Sequence, residues 1–208
     1  MQVIRYSLGE LQANCYFLID ADKCIIVDPA DDASFILEEI QRRNLKLIAM
    51  LATHGHFDHV MAAGEIQLSL KVPLYIDKND LFLIKRLRET AKYFLGYEPE
   101  IVAPREIKYF KKGNFKIENF KLQIISVPGH TPGSFCFYFP KEKIIFTGDT
   151  LFKDGVGRTD FSYGNKDDLR GSLDELFKLP ETTTIYPGHG DATEVFRARF
   201  LVSPSPRR

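Results

Sequence analysis

The chain has 208 residues, which is enough for one domain or for two small halves that share a core. Its 28 basic and 28 acidic residues balance, so it lacks the basic surface that favours nucleic acid or an anionic membrane, and we expect neither partner. Apolar runs such as residues 47–52 are too short to span a bilayer, and no signal peptide is expected.

The first half of the chain predicts four strands and three helices. Apolar and β-branched residues cluster in short runs between Gly, Asn and Asp turn signals, a pattern typical of strands. The strands are expected at residues 3–6, 15–19, 24–27 and 47–52, and the helices at about 31–43, 59–70 and 78–95. The run at 47–52 is apolar throughout, which predicts a strand that is buried on both faces.

The second half repeats this order of strands before a helix. Antiparallel strands are expected at residues 114–117, 120–127, 134–139 and 143–147, a helix at 167–179 and a last strand at 182–186. Strand groups followed twice by helices predict two sheets that stack face to face with helices outside. We therefore expect a single domain over residues 1–208, made of two similar halves at about 1–96 and 105–200, with a disordered tail at 203–208.

The cysteines indicate a cellular compartment. The chain has three cysteines, Cys15, Cys24 and Cys136, and no two of them are close in sequence. An odd number without a close pair argues against a disulfide framework and predicts the reducing cytoplasm. Cys24 and Cys136 stand inside apolar, strand-like runs, so small buried side chains are expected at both positions.

The segment Thr-His-Gly-His-Phe-Asp-His at residues 53–59 carries the strongest functional signal. It directly follows the predicted buried strand and places three imidazoles and a carboxylate within six residues, a combination that indicates bound cations. Imidazole together with carboxylate suits Zn²⁺ or Fe. Alternate positions allow His54 and His56 to reach one ion, whereas Asp58 and His59 point toward a second.

Three further candidate ligands each follow a predicted strand. They are His130 in Pro-Gly-His-Thr-Pro-Gly, Asp149 in Thr-Gly-Asp-Thr and His189 in Tyr-Pro-Gly-His-Gly. Flanking Gly and Pro allow the backbone to expose a side chain at a sheet edge, where functional sites commonly lie. All five histidines of the chain fall within these motifs, a coincidence that scattered structural histidines would not produce.

These motifs together resemble the metallo-β-lactamase superfamily over nearly the whole chain. The resemblance implies an α+β fold, a four-layer αββα sandwich with metals at one edge of the sheets. It also implies two divalent metal ions, with Zn²⁺ as the first choice and Fe or Mn as alternatives. The first ion would be bound by His54, His56 and His130 and the second by Asp58, His59 and His189, with Asp149 bridging the two.

Two stretches resemble small bacterial glyoxalase II enzymes, namely Asn14-Cys15-Tyr16 and the motifs within residues 148–161. This branch implies hydrolysis of a small-molecule thioester such as an acyl-glutathione. The second stretch also resembles the persulfide dioxygenases, a single-iron branch that stays an alternative, as does a lactonase or another hydrolase of this fold. Long glyoxalase II enzymes hold glutathione in a helical C-terminal region, for which residues 190–208 are too few, so the thiol of the substrate is left open.

The expected chemistry requires no serine or cysteine nucleophile. A bound metal ion brings the pKa of its water to about 7 and polarises a carbonyl group. Asp58 is the candidate catalytic residue, because a carboxylate that is both ligand and hydrogen-bond acceptor can orient this water. Structural metal sites are usually Cys-rich and closed, whereas seven His and Asp ligands for two ions leave open positions, which favours catalysis.

Two residues outside the ligand set are candidates for supporting roles. Arg158 is the candidate substrate-binding residue, because a guanidinium in its Gly-rich loop could hold a carboxylate with two hydrogen bonds. The alternative is a pair between Arg158 and Asp160 that braces the loop. Asp28 either matches a family aspartate that supports the site from behind or is a turn residue before Pro29.

Overall fold

The computed structural model describes residues 1–202, and its strands fall into two groups of six. The strands of the first group are β1 (Gln2–Leu8), β2 (Ala13–Asp20), β3 (Lys23–Val27), β4 (Lys46–Leu51), β5 (Leu74–Ile76) and β6 (Ile107–Tyr109). The strands of the second are β7 (Gly113–Ile117), β8 (Phe120–Ser126), β9 (Phe135–Phe139), β10 (Ile144–Gly148), β11 (Thr184–Pro187) and β12 (Thr193–Glu194). The predicted tail at 203–208 lies outside the described residues.

The helices lie between and after these strands. They are α1 (Ala33–Arg42), α2 (Phe57–Val60), α3 (Ala63–Ser69), α4 (Leu81–Lys85), α5 (Leu87–Leu95), α6 (Lys166–Leu176) and α7 (Val195–Val202), with a short 3-10 helix at Lys78–Asp80. Among the described residues, no helix is long and apolar enough to cross a bilayer.

Each sheet mixes antiparallel and parallel pairs. The first sheet follows the order β1-β2-β3-β4-β5-β6, antiparallel up to β3 and parallel from β3 onward. The second follows β12-β11-β10-β9-β8-β7, with β10 and β11 as its parallel pair. The carboxyl ends of parallel neighbours lie at the same edge of a sheet. The loops after β3 and β4 therefore leave the first sheet at one edge, and the loops after β10 and β11 leave the second sheet at one edge.

The hydrophobic core divides into three layers, which confirms the predicted αββα sandwich. Rings such as Tyr16, Phe137 and Phe146 are buried between the two sheets. A second cluster packs α1 and α3 against the outer face of the first sheet, and a third packs α6 and α7 against the second. The predicted apolar strand is confirmed as β4, whose last three residues are buried.

The structure corrects two of the predicted helices. The helix expected at 59–70 is broken between α2 and α3, because the N–H of Ala62 donates to the carbonyl of Ala30 at 2.8 Å instead of to its own helix. The helix expected at 78–95 divides into a 3-10 turn, α4 and α5, since Arg86 departs from helical geometry with φ −110° and ψ 16°. The sequence interpretation also missed α7. It missed three strands as well, β5, β6 and β12, which are only two or three residues long.

Candidate metal centre

The seven predicted ligands come together at one edge of the sandwich. The loop after β4 supplies His54 and His56, the short helix α2 that follows it supplies Asp58 and His59, and the loops after β8, β10 and β11 supply one ligand each. Their donor atoms form two groups, each within 4.8 Å, consisting of His54, His56, His130 and Asp149 in the first and Asp58, His59 and His189 in the second. The structure therefore brings together residues from distant parts of the chain, from His54 to His189.

Three imidazole nitrogens of the first group face one another. Nδ1 of His56 lies 3.0 Å from Nε2 of His54 and 3.0 Å from Nε2 of His130. Each ring directs its other nitrogen to a protein oxygen. These partners are the Thr53 hydroxyl at 3.1 Å for His54, the Tyr163 hydroxyl at 2.8 Å for His56 and the Arg158 carbonyl at 2.8 Å for His130. Such outer hydrogen bonds fix the orientation of metal-binding imidazoles.

Asp149 stands between the two groups. Its Oδ1 lies 3.4 Å from Nε2 of His59, and its Oδ2 lies 3.6 Å from Nε2 of His130 and 3.7 Å from Nε2 of His189. On the other side, Oδ2 of Asp58 lies 3.3 Å from Nε2 of His189. One carboxylate thus reaches both groups, which is the geometry that a bridging ligand requires.

Two buried atoms at the centre test whether the residues fit a metal ion. Nε2 of His59 and Oδ1 of Asp149 are buried and have no hydrogen-bond partner within residues 1–202. Leaving a buried polar atom without a partner costs about 1–3 kcal/mol, and a cation coordinated by both atoms would remove that cost. Imidazole and carboxylate are donors suited to divalent Zn or Fe. The residues therefore fit divalent metal ions.

Burial and charge set the protonation of the ligands. Burial lowers the pKa of His56 to about 3 and that of His54 well below its usual value, so both rings are neutral, the form that binds metals. Burial opposes ionisation of Asp149, yet the neighbouring histidines, His59 foremost, hold its pKa well below the usual range. Burial likewise disfavours a charged His59, but Asp149 and Asp58 raise its pKa well above normal. The carboxylates around His59 thus favour positive charge at this position, which a protonated ring or a bound divalent cation would supply.

Asp28 supports the site from behind, as the family resemblance implies. It directly follows β3, is buried and adopts a left-handed backbone with φ 51°. Its carboxylate accepts hydrogen bonds at 2.7 Å from the N–H and the hydroxyl of Thr53 and lies 3.0 Å from Nδ1 of His59. One carboxylate therefore holds the start of the ligand loop and fixes which nitrogen of His59 faces the centre.

Asp80, which the sequence interpretation missed, connects two ligand loops. It is fully buried, and its carboxylate accepts hydrogen bonds from the N–H of Gly55 at 2.8 Å, the N–H of Gly133 at 2.7 Å and the Thr131 hydroxyl at 2.7 Å. Burial raises its pKa to about 6. The available signal was a polar residue soon after a strand, but that strand, β5, is too short to recognise.

Asn14 and Tyr16 hold the loop of His189. The side-chain amide of Asn14 donates to the carbonyls of Pro187 and Gly190, and the Tyr16 hydroxyl donates to Pro187 at 2.7 Å. Gly188 leaves room in this loop, because a Cβ there would meet Oδ1 of Asp149 at 2.2 Å. The Asn-Cys-Tyr stretch noted in the sequence therefore positions a ligand loop.

Arg158 and Cys136 occupy different surroundings. The Arg158 guanidinium lines the pocket at the site and makes two hydrogen bonds of 2.6 Å to Asp160, so the bracing pair is present. Its contact with a substrate stays a prediction.

Cys136 is fully buried in the core between the second sheet and its helices, and burial raises the pKa of its thiol well above normal. Both properties make Cys136 unsuited to act as a nucleophile.

The chain belongs to the metallo-beta-lactamase superfamily, whose pattern matches residues 8–189. The probable metallo-hydrolase YqgX of Bacillus subtilis is 35% identical over 192 residues, which cover 92% of this chain and 91% of the relative. The hydroxyacylglutathione hydrolase GloC of Haemophilus influenzae is 36% identical over 189 residues, or 88% of each chain. These matches confirm the family that the motifs indicated and place the chain among metal-dependent hydrolases.

Solved structures agree with the fold. The structure of TTHA1623 in a di-iron-bound form matches with a TM-score of 0.86 at 33% identity, covering 94% of this chain and 96% of that one. The BLEG-1 B3 metallo-beta-lactamase matches with a TM-score of 0.88 at 28% identity, covering 96% and 99%. The fold and the His/Asp clusters thus indicate divalent metal ions, and they are compatible with more than one metal.

Proposed function

We propose that this protein is a thioester hydrolase that acts on acyl-glutathiones or similar thioesters with two divalent metal ions. The proposed ligands are His54, His56 and His130 for one ion and Asp58, His59 and His189 for the other, with Asp149 shared. Zn²⁺ suits this donor set best, and iron or manganese are the alternatives. The observation that carries the proposal is the position of Asp149, whose carboxylate lies within 3.7 Å of both histidine groups.

Two relatives support this choice. A hydroxyacylglutathione hydrolase shares 36% of its residues with this chain over 88% of each length. The structural neighbour with 33% identity is described as di-iron-bound, which favours two ions over one. A mononuclear oxygenase uses two histidines and one carboxylate and needs no second group such as Asp58, His59 and His189.

The residues of the chain divide the work of hydrolysis. When bound, the metal ions supply a hydroxide at neutral pH and polarise the substrate carbonyl. Asp58 lines the pocket, and although burial opposes its ionisation, His59 and His189 lower its pKa, so its carboxylate is ionised and can accept a proton from the attacking water. Thr53, Asp28, Tyr163 and the Arg158 carbonyl keep the imidazoles oriented through their outer nitrogens.

The test supplies three substrates to protein loaded separately with Zn²⁺, Mn²⁺ or Fe²⁺. S-lactoylglutathione is followed by free thiol, glutathione persulfide by oxygen uptake and a β-lactam by ring opening. We expect metal-dependent thiol release with negligible turnover of the other two. Rapid oxygen uptake by the iron form without thiol release would instead establish the dioxygenase alternative, and β-lactam cleavage alone would also reject the proposal.

Cys136→Ala serves as the control for covalent catalysis. The Cys136 thiol is buried between the second sheet and its helices and belongs to neither ligand group, so the variant should retain metal content and kcat within about twofold. A variant that folds and binds metal but does not release thiol would contradict hydrolysis by a metal-activated water and favour a cysteine nucleophile.

A further inference from the structure

A pocket of about 150 Å³ opens beside the two ligand groups, and aromatic rings form much of its wall. Phe57 stacks on Phe94 with ring centroids 6.0 Å apart, and Phe94 meets Phe161 edge to face at 6.2 Å. Phe161 in turn stacks on Tyr163 at 5.3 Å. The ligands His56, Asp58, His130 and Asp149 line the same pocket. A group bound here therefore touches the metal ligands on one side and the aromatic rings on the other.

The hydroxyl groups of the wall are engaged within the protein. The Tyr163 hydroxyl lies 2.8 Å from Nε2 of His56. The Thr90 hydroxyl donates within its own helix, to the carbonyls of Arg86 and Leu87 at 2.9 and 3.1 Å. The wall away from the ligands therefore presents mainly carbon to an occupant.

The charge on the wall is also compensated. Within residues 1–202, the cationic side chain that lines this pocket is Arg158. Two hydrogen bonds of 2.6 Å hold its guanidinium against the Asp160 carboxylate, and its Cζ atom lies over the Phe161 ring, 4.4 Å from the ring centre. An anionic group on the substrate would have to compete with Asp160 for this cation, whereas an apolar group gains contact with the rings directly.

We infer that this pocket binds an aromatic acyl group, so that aryl-substituted thioesters such as phenylacetyl thioesters are its preferred substrates. The inference rests on the proposed hydrolase function and specifies its substrate. A pocket of about 150 Å³ has room for a benzene ring beside the apolar part of its wall, and ring edges and faces pack favourably against one another. In the reaction, water adds its oxygen to the acyl carbon, the C–S bond breaks, and the thiol leaves with the electron pair and a proton.

The first experiment varies the acyl group while the thiol is kept constant. Acetyl, lactoyl and phenylacetyl thioesters of N-acetylcysteamine are given to the zinc-loaded protein, and kcat/KM is compared. We expect the phenylacetyl thioester to exceed both others by at least tenfold. In addition, phenylacetate should inhibit acetyl thioester hydrolysis at a concentration at least tenfold lower than lactate does.

The second experiment removes the ring that forms the centre of the wall. Phe161→Ala should lower kcat/KM for the phenylacetyl thioester about tenfold more than it lowers the acetyl value, so that the ratio of the two values falls about tenfold. Phe196→Ala, which removes an exposed ring of α7, is the matched control and should change neither value. If Phe161→Ala does not fold, Phe161→Leu keeps the bulk without the ring, and the inhibition measurement on the unaltered protein decides independently.

The outcomes separate the two proposals. If no thioester is cleaved, the proposed function fails, and the inference fails with it. If the acetyl and lactoyl thioesters are cleaved as fast as the phenylacetyl thioester, hydrolysis stands and the aromatic acyl pocket is wrong. A third series keeps the acetyl group and exchanges N-acetylcysteamine for glutathione or benzyl mercaptan. A tenfold preference for benzyl mercaptan without an acyl preference would assign the pocket to the thiol and also overturn the inference.

Discussion

Substitution of His59 and substitution of Asp149 are expected to affect metal content differently. His59 is a candidate ligand of the second ion only, with Nε2 3.6 Å from Asp58 and 3.4 Å from the shared Asp149, whereas Asp149 lies near histidines of both groups. His59→Ala should therefore reduce the metal content from about two ions to about one per chain, while Asp149→Ala weakens both sites and lowers activity at least about a hundredfold. Elemental analysis after gel filtration measures both contents, and equal loss from the two variants would contradict the proposed division of ligands.

Asp80 provides a test of how the ligand loops are held. Asn has one acceptor oxygen, so Asp80→Asn leaves a buried N–H of Gly55 or Gly133 facing an amide NH₂, at a cost of about 1–3 kcal/mol. We expect a lower midpoint of thermal unfolding and a metal affinity that is weaker by about tenfold or more in a chelator competition. Asp174→Asn, on the exposed face of α6, is the control and should change neither quantity. Unchanged metal affinity in Asp80→Asn would show that the loops hold their geometry without this carboxylate.

At the scale of elements, two helical glycines should respond oppositely to the same change. A Cβ on Gly64 of α3 would lie 1.8 Å from the Val102 carbonyl oxygen, whereas a Cβ on Gly171 of α6 meets nothing within 4 Å. Gly64→Ala should destabilise the protein by roughly 3 kcal/mol because backbone must move. Gly171→Ala should stabilise it by about 0.5–1 kcal/mol, since Ala loses less conformational freedom in a helix. Urea unfolding measures the change in stability of both variants. An unchanged stability of Gly64→Ala would indicate that the loop containing Val102 moves at little cost.

The contact between α1 and β1 predicts a dependence on pH. Arg42, Tyr6 and Arg43 hydrogen-bond to Glu39 and lower its pKa to about 2. Folding depresses the pKa of this carboxyl, so its ionised form stabilises the protein at pH values above the pKa of the unfolded chain. The stabilisation is lost as the pH falls toward the lower pKa of the folded chain. Glu39→Gln should thus lower the free energy of unfolding by roughly 1 kcal/mol at pH 7, since solvent screens its arginines, and by less at pH 3.5. Urea titrations at both pH values measure this, and an equal loss would exclude ionisation as the cause.

At the scale of the whole molecule, the metal centre connects the two sheets. His54, His56, Asp58 and His59 follow a strand of the first sheet, and His130, Asp149 and His189 follow strands of the second. Ions bound between them, as proposed, would stabilise only the folded chain, by about 4 kcal/mol at a thousandfold excess over Kd. Removal of metal with a chelator should lower the midpoint of thermal unfolding, and Zn²⁺ should restore it. A midpoint that does not respond to metal would contradict a centre shared by the two sheets.

Local pattern by itself determined most of the elements and the identity of the candidate ligands. The apolar run that became β4 and the motifs at His54, His130, Asp149 and His189 are read from neighbouring residues, because a buried strand and a Gly-flanked turn leave short-range signatures. The resemblance to the superfamily rests on the same local motifs.

Tertiary structure decided what depends on residues that are distant in the chain. The short strands β5, β6 and β12 form because neighbouring strands supply hydrogen bonds, and no periodicity can develop in two or three residues. Asp80 meets Gly133 across 53 positions, and Tyr163 meets His56 across 107, contacts that no local pattern encodes. The same is true of the aromatic pocket, whose rings come from three separate segments, near Phe57, Phe94 and Phe161, and converge only when the loops of both sheets share one edge.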